Sequence, residues 1–117
     1  MGIINRFPDF MKNPANAVSA GEQSAGVEGY IFDGADGSQI AFWECGKDIV
    51  SKEHIHEFDE YFIVVQGLYT LIINGVEVPV GPGQEYHIPK NVPHAGRGMA
   101  GTRTIHAFGG RRATRES

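Results

Sequence analysis

The stretch EYFIVVQGLYTLIINGVEVPV, residues 60–80, decides the fold class of this chain of 117 residues. It contains runs rich in β-branched and aromatic residues, which are typical of strands: Glu60–Val65, Leu68–Ile73 and Val76–Val80. Gln66-Gly67 and Asn74-Gly75 separate these runs. Asn-Gly between two apolar runs is the strongest short hairpin signal, because both residues tolerate a positive φ angle. The stretch therefore predicts consecutive antiparallel strands joined by tight turns.

The same pattern continues on both sides of this stretch. Further strands are predicted at Val27–Phe32, Gln39–Glu44, Glu85–Ile88 and Thr102–Phe108. Sixteen glycines also favour many short strands joined by turns. No amphipathic helix and no internal repeat is evident. We therefore predict an all-β fold, a single antiparallel β-barrel or double-sheet jelly roll, in which closure removes the exposed strand edges.

The chain is long enough for one domain, and its composition suggests three segments. Residues 1–26 contain Pro8, Pro14 and a small, polar stretch, and are expected to form an N-terminal arm. Residues 27–110 are expected to form the barrel. Residues 111–117 carry Arg111, Arg112 and Arg115 and are expected to form a frayed, solvated basic tail.

Charge and hydropathy exclude several classes of partner. The net charge of −4 provides no field that would attract nucleic acid. The longest apolar run, Tyr61–Val65, is far shorter than the stretch of about 20 residues that a membrane helix needs. The N-terminus lacks the apolar core of a signal peptide, and the single Cys45 cannot form an internal disulfide. We therefore expect a cytoplasmic protein with no nucleic-acid or membrane partner.

Three histidines and one glutamate form a candidate metal site. His54 and His56 are two residues apart, so on a strand both imidazoles would point to the same face and Ile55 to the other. Glu60 opens the next strand, and an antiparallel neighbour can bring it beside them. A barrel can fold His94 back across its mouth. Three neutral imidazoles and a carboxylate suit one divalent ion of Fe, Mn, Ni, Cu or Zn.

These residues resemble the two sequence motifs of the cupins. The first, metal-binding motif matches His54-Ile55-His56, Glu60 and Gly67, and the second resembles Gly83, Pro89, Asn91 and His94. The interval between the motifs, residues 68–82, is similar to that of small microbial single-domain cupins. The resemblance covers roughly residues 37–108. It implies a β-barrel, His54, His56, Glu60 and His94 as metal ligands, and a homodimer.

The chain departs from the cupin pattern at three positions. The interval between Gly46 and His54 is two residues longer than usual, so the strand that enters the site is expected to bulge unless Gly46 is not the motif glycine. Asn91 replaces a glycine, and asparagine is the next-best residue for a left-handed turn. Gly98 lies where the pattern often has asparagine. None of these departures removes a predicted ligand.

Other residues are candidates for lining a cavity. Phe62, His106 and Trp43 could contribute to its wall, although aromatic residues in a small barrel are core by default. His106 could act there as an acid or base, but a hydrogen-bonded core histidine is the favoured interpretation. Arg97 and Arg103 could pair with an anionic substrate or lie on the surface. Cys45 is interpreted as an inert buried thiol and His87 as a partly exposed histidine.

The function predicted from these features is that of a metal-dependent enzyme for a small, polar or carboxylate-bearing substrate. Oxygenase chemistry and isomerase or lyase chemistry are both compatible with the ligand set. One alternative is a non-catalytic module that binds or senses a small ligand. Another is a structural zinc domain, because four protein ligands can complete a tetrahedral zinc site.

Overall fold

The computed structural model of the chain describes residues 2–18 and 26–113. Within them the chain forms nine strands, β1 (Val27–Asp33), β2 (Gln39–Cys45), β3 (Ile49–Val50), β4 (Glu60–Gln66), β5 (Tyr69–Ile73), β6 (Val76–Val80), β7 (Glu85–Ile88), β8 (His94–Gly98) and β9 (Arg103–Phe108). The helices of this part of the chain are two short 3-10 helices, Asp9–Lys12 and Pro14–Asn16. No helix in the described ranges is long and apolar enough to cross a bilayer.

The strands form two antiparallel sheets. The larger sheet has the order β1-β2-β9-β4-β7, and the smaller has the order β3-β8-β5-β6. Every pairing between neighbours in these sheets is antiparallel. The predicted all-β jelly roll is therefore confirmed.

All seven strands predicted from the sequence are present, each within one residue of its predicted ends. The predicted Asn74-Gly75 turn joins β5 to β6, and both residues have positive φ angles, 52° and 74°. β3 and β8 are not predicted by the sequence pattern. β3 is too short to show a pattern, and β8, with the sequence HAGRG, contains no β-branched or large apolar residue.

The main apolar core lies between the two sheets. It consists of Phe62, Val64, Leu71, Ile73, Val80 and Ile88. Phe62 and Val64 are alternate residues of β4 and are fully buried, as expected when side chains alternate between the faces of a sheet. This places Phe62, a candidate for lining the cavity, in the core instead.

A second cluster joins both terminal segments to the barrel. Its buried residues are Val18, Ile31, Ala41, Phe108 and Ala113. Val18 comes from the predicted arm and Ala113 from the predicted tail, so both segments pack on the larger sheet. The boundaries proposed for the arm and the tail stay predictions, and Arg115 lies outside the described residues.

A buried glutamine fixes the C-terminal segment in place. Gln39 is 3% exposed, and its Oε1 accepts hydrogen bonds from the backbone N–H groups of Arg112 at 2.7 Å and Ala113 at 3.1 Å. Its Nε2 donates to the carbonyl of Ala113 at 3.2 Å and to Asp33 Oδ1 at 2.9 Å. Residues 111–113 are therefore held against the end of β2.

We predict that Gln39→Ala lowers the free energy of unfolding by about 1–3 kcal/mol, because it leaves buried backbone groups without partners. Denaturant unfolding measures the change. Gln84→Ala is the matched control and should cost less, since the Gln84 side chain accepts one hydrogen bond at an exposed turn, from Gly81 N at 2.8 Å. Equal losses in the two variants would show that the Gln39 bonds do not anchor the segment.

Candidate metal centre

A pair of backbone hydrogen bonds brings His54 next to His94. His54 N donates to the His94 carbonyl at 2.8 Å, and His94 N donates to the His54 carbonyl at 2.9 Å. Residues paired in this way in antiparallel chains point their side chains to the same face. The centroids of the two imidazole rings are accordingly 4.4 Å apart.

The prediction that His54 and His56 lie on a strand is wrong. β3 ends at Val50, and between it and β4 the chain forms no strand, apart from the single bridge at His54. Residues 51–59 form this irregular connection. The side chains of residues 54–56 nevertheless alternate in direction as they would on a strand. Ile55 is 56% exposed, while His54 and His56 are partly buried.

His56 is held by a different contact. Its carbonyl accepts a hydrogen bond from Asn91 N at 2.7 Å. Asn91 has a φ angle of 63°, the left-handed conformation expected where the cupin pattern has glycine. The His56 ring stacks on Phe58 with a centroid distance of 5.1 Å. The loop that precedes β8 therefore holds His56 through Asn91.

The structure brings all four predicted metal ligands together. The potential ligand atoms of His54, His56 and His94 lie within 4.8 Å of one another. Glu60 Oε1 lies 3.5 Å from His56 Nε2 and 3.3 Å from His94 Nε2. The four side chains thus form a compact group of nitrogen and oxygen ligand atoms.

Backbone carbonyls fix the orientation of two imidazoles. The His54 Nδ1 lies 2.8 Å from the Lys52 carbonyl, and the His94 Nδ1 lies 2.9 Å from the Val92 carbonyl. A carbonyl can only accept, so in each ring Nδ1 carries the proton and Nε2 keeps its lone pair. This is the arrangement in which metal-binding histidines are usually held.

His106 orients the carboxylate of Glu60. The His106 Nδ1 donates to Glu60 Oε2 at 2.8 Å, and its Nε2 lies 3.0 Å from Thr104 Oγ1, which can donate to it. The His106 ring stacks on Phe62 and Phe108 with centroid distances of 5.0 and 5.8 Å. One carboxylate oxygen is therefore occupied, and the other is directed towards the histidines.

Three buried atoms of the group have no hydrogen-bond partner. They are His56 Nε2, His94 Nε2 and Glu60 Oε1. Buried polar atoms without partners are costly and uncommon, and here they face one another rather than lying scattered. A divalent cation would satisfy all of them, and imidazole and carboxylate are ligands that such ions prefer. The residues present therefore fit a bound metal.

The charges in the group also suit a bound metal ion. Burial lowers the pKa of His56 to about 4, and it also lowers the pKa of His54. Burial opposes ionisation of Glu60, but the hydrogen bond from His106 and the close contact with His94 outweigh it and lower the pKa of the carboxyl group. Burial by itself would lower the pKa of His94, but the contact of His94 with Glu60 outweighs burial and raises this pKa. Near neutral pH, Glu60 is therefore an anion beside uncharged His54 and His56.

A cavity of about 110 Å³ opens beside this group. His54, Glu60 and His106 face it, with apolar walls from Trp43 and Phe108. Of the three residues predicted to line a cavity, Trp43 and His106 border this space, whereas Phe62 lies behind His106 in the core. His106 is therefore both a hydrogen-bonded core histidine and a residue of the cavity wall.

The lining residues that were not among the sequence candidates include Tyr69, Thr104 and Arg112. Tyr69 reaches the cavity because Gly96 leaves room for it, since a Cβ at Gly96 would lie 1.9 Å from the Tyr69 hydroxyl. Arg112 was assigned to a solvated tail, and no sequence pattern marks it out. Its position depends on the contacts of Gln39 with the backbone of residues 112–113.

The remaining sequence candidates lie away from the cavity. Arg97 forms an exposed ion pair with Glu77. Arg103 is buried and lies over the ring of Phe7, 5.3 Å from its centroid. His87 is exposed and contacts Asp59 Oδ2 at 3.2 Å. Neither Arg97 nor Arg103 lines the cavity, so neither is placed to pair with a substrate there.

A sequence model of the cupin domain matches residues 44–107, which is more than half of the chain. This chain belongs to the cupin family. The matched segment contains the four clustered donors, the strand β4 that carries Glu60 and most of β9. The cupin barrel predicted from the two motifs is therefore confirmed.

Solved structures with the same fold include several cupins. KdgF from a Halomonas species shares 20% sequence identity, with a TM-score of 0.66 over 86% of this chain and 94% of that one. An RmlC-like cupin from Shewanella frigidimarina shares 17% identity, with a TM-score of 0.69 over 80% and 82% of the two chains. An oxalate decarboxylase variant from Bacillus subtilis shares 14%, with a TM-score of 0.68 over 81% and 29%. No curated protein sequence gives a significant match.

We predict that the thiol of Cys45, which also lines the cavity, reacts slowly. Burial raises its pKa, and the nearby carboxylates of Glu44 and Asp48 act in the same direction. The reactive thiolate is therefore scarce at pH 8 in the folded state, and its fraction should rise only at more alkaline pH. Alkylation by iodoacetamide, followed by mass spectrometry, should be much slower at pH 8 in the folded protein than in denaturant. Equal rates would contradict the burial and raised pKa of this thiol.

Proposed function

We propose that this cupin is a metal-dependent enzyme that acts on a small molecule bound in the barrel cavity. The observation that carries the proposal is the convergence of His56 Nε2, His94 Nε2 and Glu60 Oε1, all buried and without partners. His54 and Glu60 belong to the same group and line the cavity. A site that only stabilised the fold would have no need of a cavity beside it.

In the proposed site, His54, His56, Glu60 and His94 hold one divalent ion of Fe, Mn, Ni, Cu or Zn. When bound, such an ion supplies Lewis-acid or redox chemistry and a point at which a substrate is oriented. The ligand set supports both oxygenase chemistry and isomerase or lyase chemistry. The structural neighbours named as an oxalate decarboxylase and as DMSP lyases support the idea that this fold carries enzymes.

The chain's own residues have distinct tasks in this proposal. The carbonyls of Lys52 and Val92 hold the Nε2 lone pairs of their histidines towards the centre. His106 keeps Glu60 from rotating and can hold a proton at Nδ1, between the two side chains. Because His106 also lines the cavity, it is one place from which a proton could move to a substrate.

The apolar walls have a separate effect. Trp43 and Phe108 border the same space as Glu60, so a substrate there would be partly shielded from water. Electrostatic interactions are stronger in such surroundings than in bulk solvent. The homodimer, the cytoplasmic location and the absence of a nucleic-acid partner stay predictions.

Metal content is the direct test of the proposed site. Elemental analysis of the wild-type protein should find about one divalent transition-metal ion per chain, and His56→Ala and Glu60→Gln should lose it while the barrel stays folded. His87→Ala is the matched control, because His87 is an exposed histidine that pairs with Asp59. Protein that binds no metal even after reconstitution would refute the proposal.

A second measurement separates the enzyme from its alternatives. In the cobalt-substituted protein, azide should change the visible absorption spectrum if coordination positions remain for a substrate. An unchanged spectrum, together with stoichiometric zinc in the native protein, would favour the structural zinc domain. Azide binding with no turnover in oxygen-uptake and isomerase screens would favour the ligand-binding module.

We also predict that His106→Leu weakens metal binding by about 10–100-fold, because Glu60 loses the hydrogen bond that orients it. His106→Gln is the conservative variant, since its amide can still donate to the carboxylate, and it should retain more of the affinity. Competition with a chelator measures both variants. If leucine and glutamine have the same effect, the hydrogen bond to Glu60 is not what matters.

A further inference from the structure

A cationic side chain faces the cavity from a segment that lies beyond the last strand. Arg112 lines the cavity together with His54, Glu60 and Tyr69. No other lysine or arginine does so within the described residues.

The backbone around Arg112 is fixed, so the side chain reaches the cavity from a defined place. Arg112 N and the peptide of Ala113 bond to the buried side chain of Gln39, and Ala113 is only 2% exposed. The preceding Gly109 donates to the carbonyl of Asp59 at 2.8 Å. A segment that served only as a solvated tail would need none of these anchors.

The guanidinium itself has no partner among the described residues. No carboxylate lies within ion-pair distance of it there, and no side-chain hydrogen bond from Arg112 is present, although its backbone N–H is bonded. Glu60, the acidic residue of the cavity wall, has one oxygen bonded to His106, and its other oxygen faces His56 and His94. The hydrogen-bond donors of Arg112 are therefore available to a ligand.

We propose that Arg112 binds the carboxylate of a small anionic substrate in this cavity. The inference rests on the proposed function and names its substrate class. The planar guanidinium pairs with a carboxylate through two parallel hydrogen bonds, which fixes the orientation of the ligand as well as its charge. The hydroxyl of Tyr69 borders the same space, and Trp43 and Phe108 provide an apolar wall for the carbon skeleton. A volume of about 110 Å³ suits a compact acid.

The charge balance of the site favours the same class of ligand. Glu60 contributes one negative charge, a divalent ion would add two positive charges, and Arg112 adds one more. The loaded cavity would then have an excess of positive charge beside the apolar walls of Trp43 and Phe108. An anion is attracted to such a cavity, whereas a cation is repelled.

Malonate is a suitable probe, with malonamide as its uncharged counterpart of similar shape. Isothermal titration of the protein with malonate should give a Kd that rises about tenfold or more in Arg112→Ala, the usual consequence of losing hydrogen bonds to a charged group. Arg112→Lys keeps the positive charge but not the planar guanidinium. Its Kd for malonate should therefore lie between those of the wild type and Arg112→Ala. Arg111→Ala is the matched control, because Arg111 is the exposed neighbour and does not line the cavity. Malonamide should bind weakly to every variant.

Metal content and melting temperature are measured on the same samples. Both should be unchanged in Arg112→Ala, since Gln39 holds the backbone of residue 112 rather than its side chain. A wild-type protein without metal would refute the proposed function, whatever the malonate result. Metal-loaded protein whose malonate affinity is the same in Arg112→Ala would refute the role of Arg112 alone. Stronger binding of phosphate than of malonate would refute the carboxylate class, and loss of metal in Arg112→Ala would show that the residue acts through the metal centre instead.

Discussion

The site depends on the alternation of side chains along β4 and β9, which are neighbours in the larger sheet. In their register Glu60 lies opposite Phe108, and Phe62 lies opposite His106. All four side chains are buried. A slip of one residue in either strand would move its buried side chains to the other face of the sheet. The apolar contacts of Phe62 and Phe108 therefore hold the polar pair Glu60 and His106 in register.

The second constraint acts outside the regular sheets. His54 belongs to no strand, and its position relative to His94 depends on two backbone hydrogen bonds. These bonds join the irregular connection before β4 to the first residue of β8. The candidate metal centre thus combines a rigid wall, provided by β4 and β9, with a loop attached to the smaller sheet. The buried nitrogen and oxygen atoms that have no hydrogen-bond partner lie at the junction of these two parts.

Much of this could be predicted, because the signals are local. The strands β4, β5 and β6 follow from runs of β-branched and aromatic residues, and the turn at Asn74-Gly75 follows from the two residues that tolerate positive φ. β8 escaped prediction because its sequence contains three residues without a large side chain, Ala95, Gly96 and Gly98. Its strand conformation comes from pairing with β3 and β5, not from its own propensity.

The sequence by itself determined the fold class, because the periodicity of apolar residues and the turn residues are local signals. It also determined the chemical character of the site, through three histidines and a glutamate at a recognisable spacing. Only the tertiary structure decided which further side chains share the cavity. Arg112 is brought there by the contacts of Gln39, which is 73 residues away in sequence. His106 meets Glu60 across a separation of 46 residues. No local pattern encodes such contacts, since they arise from the packing of the whole barrel.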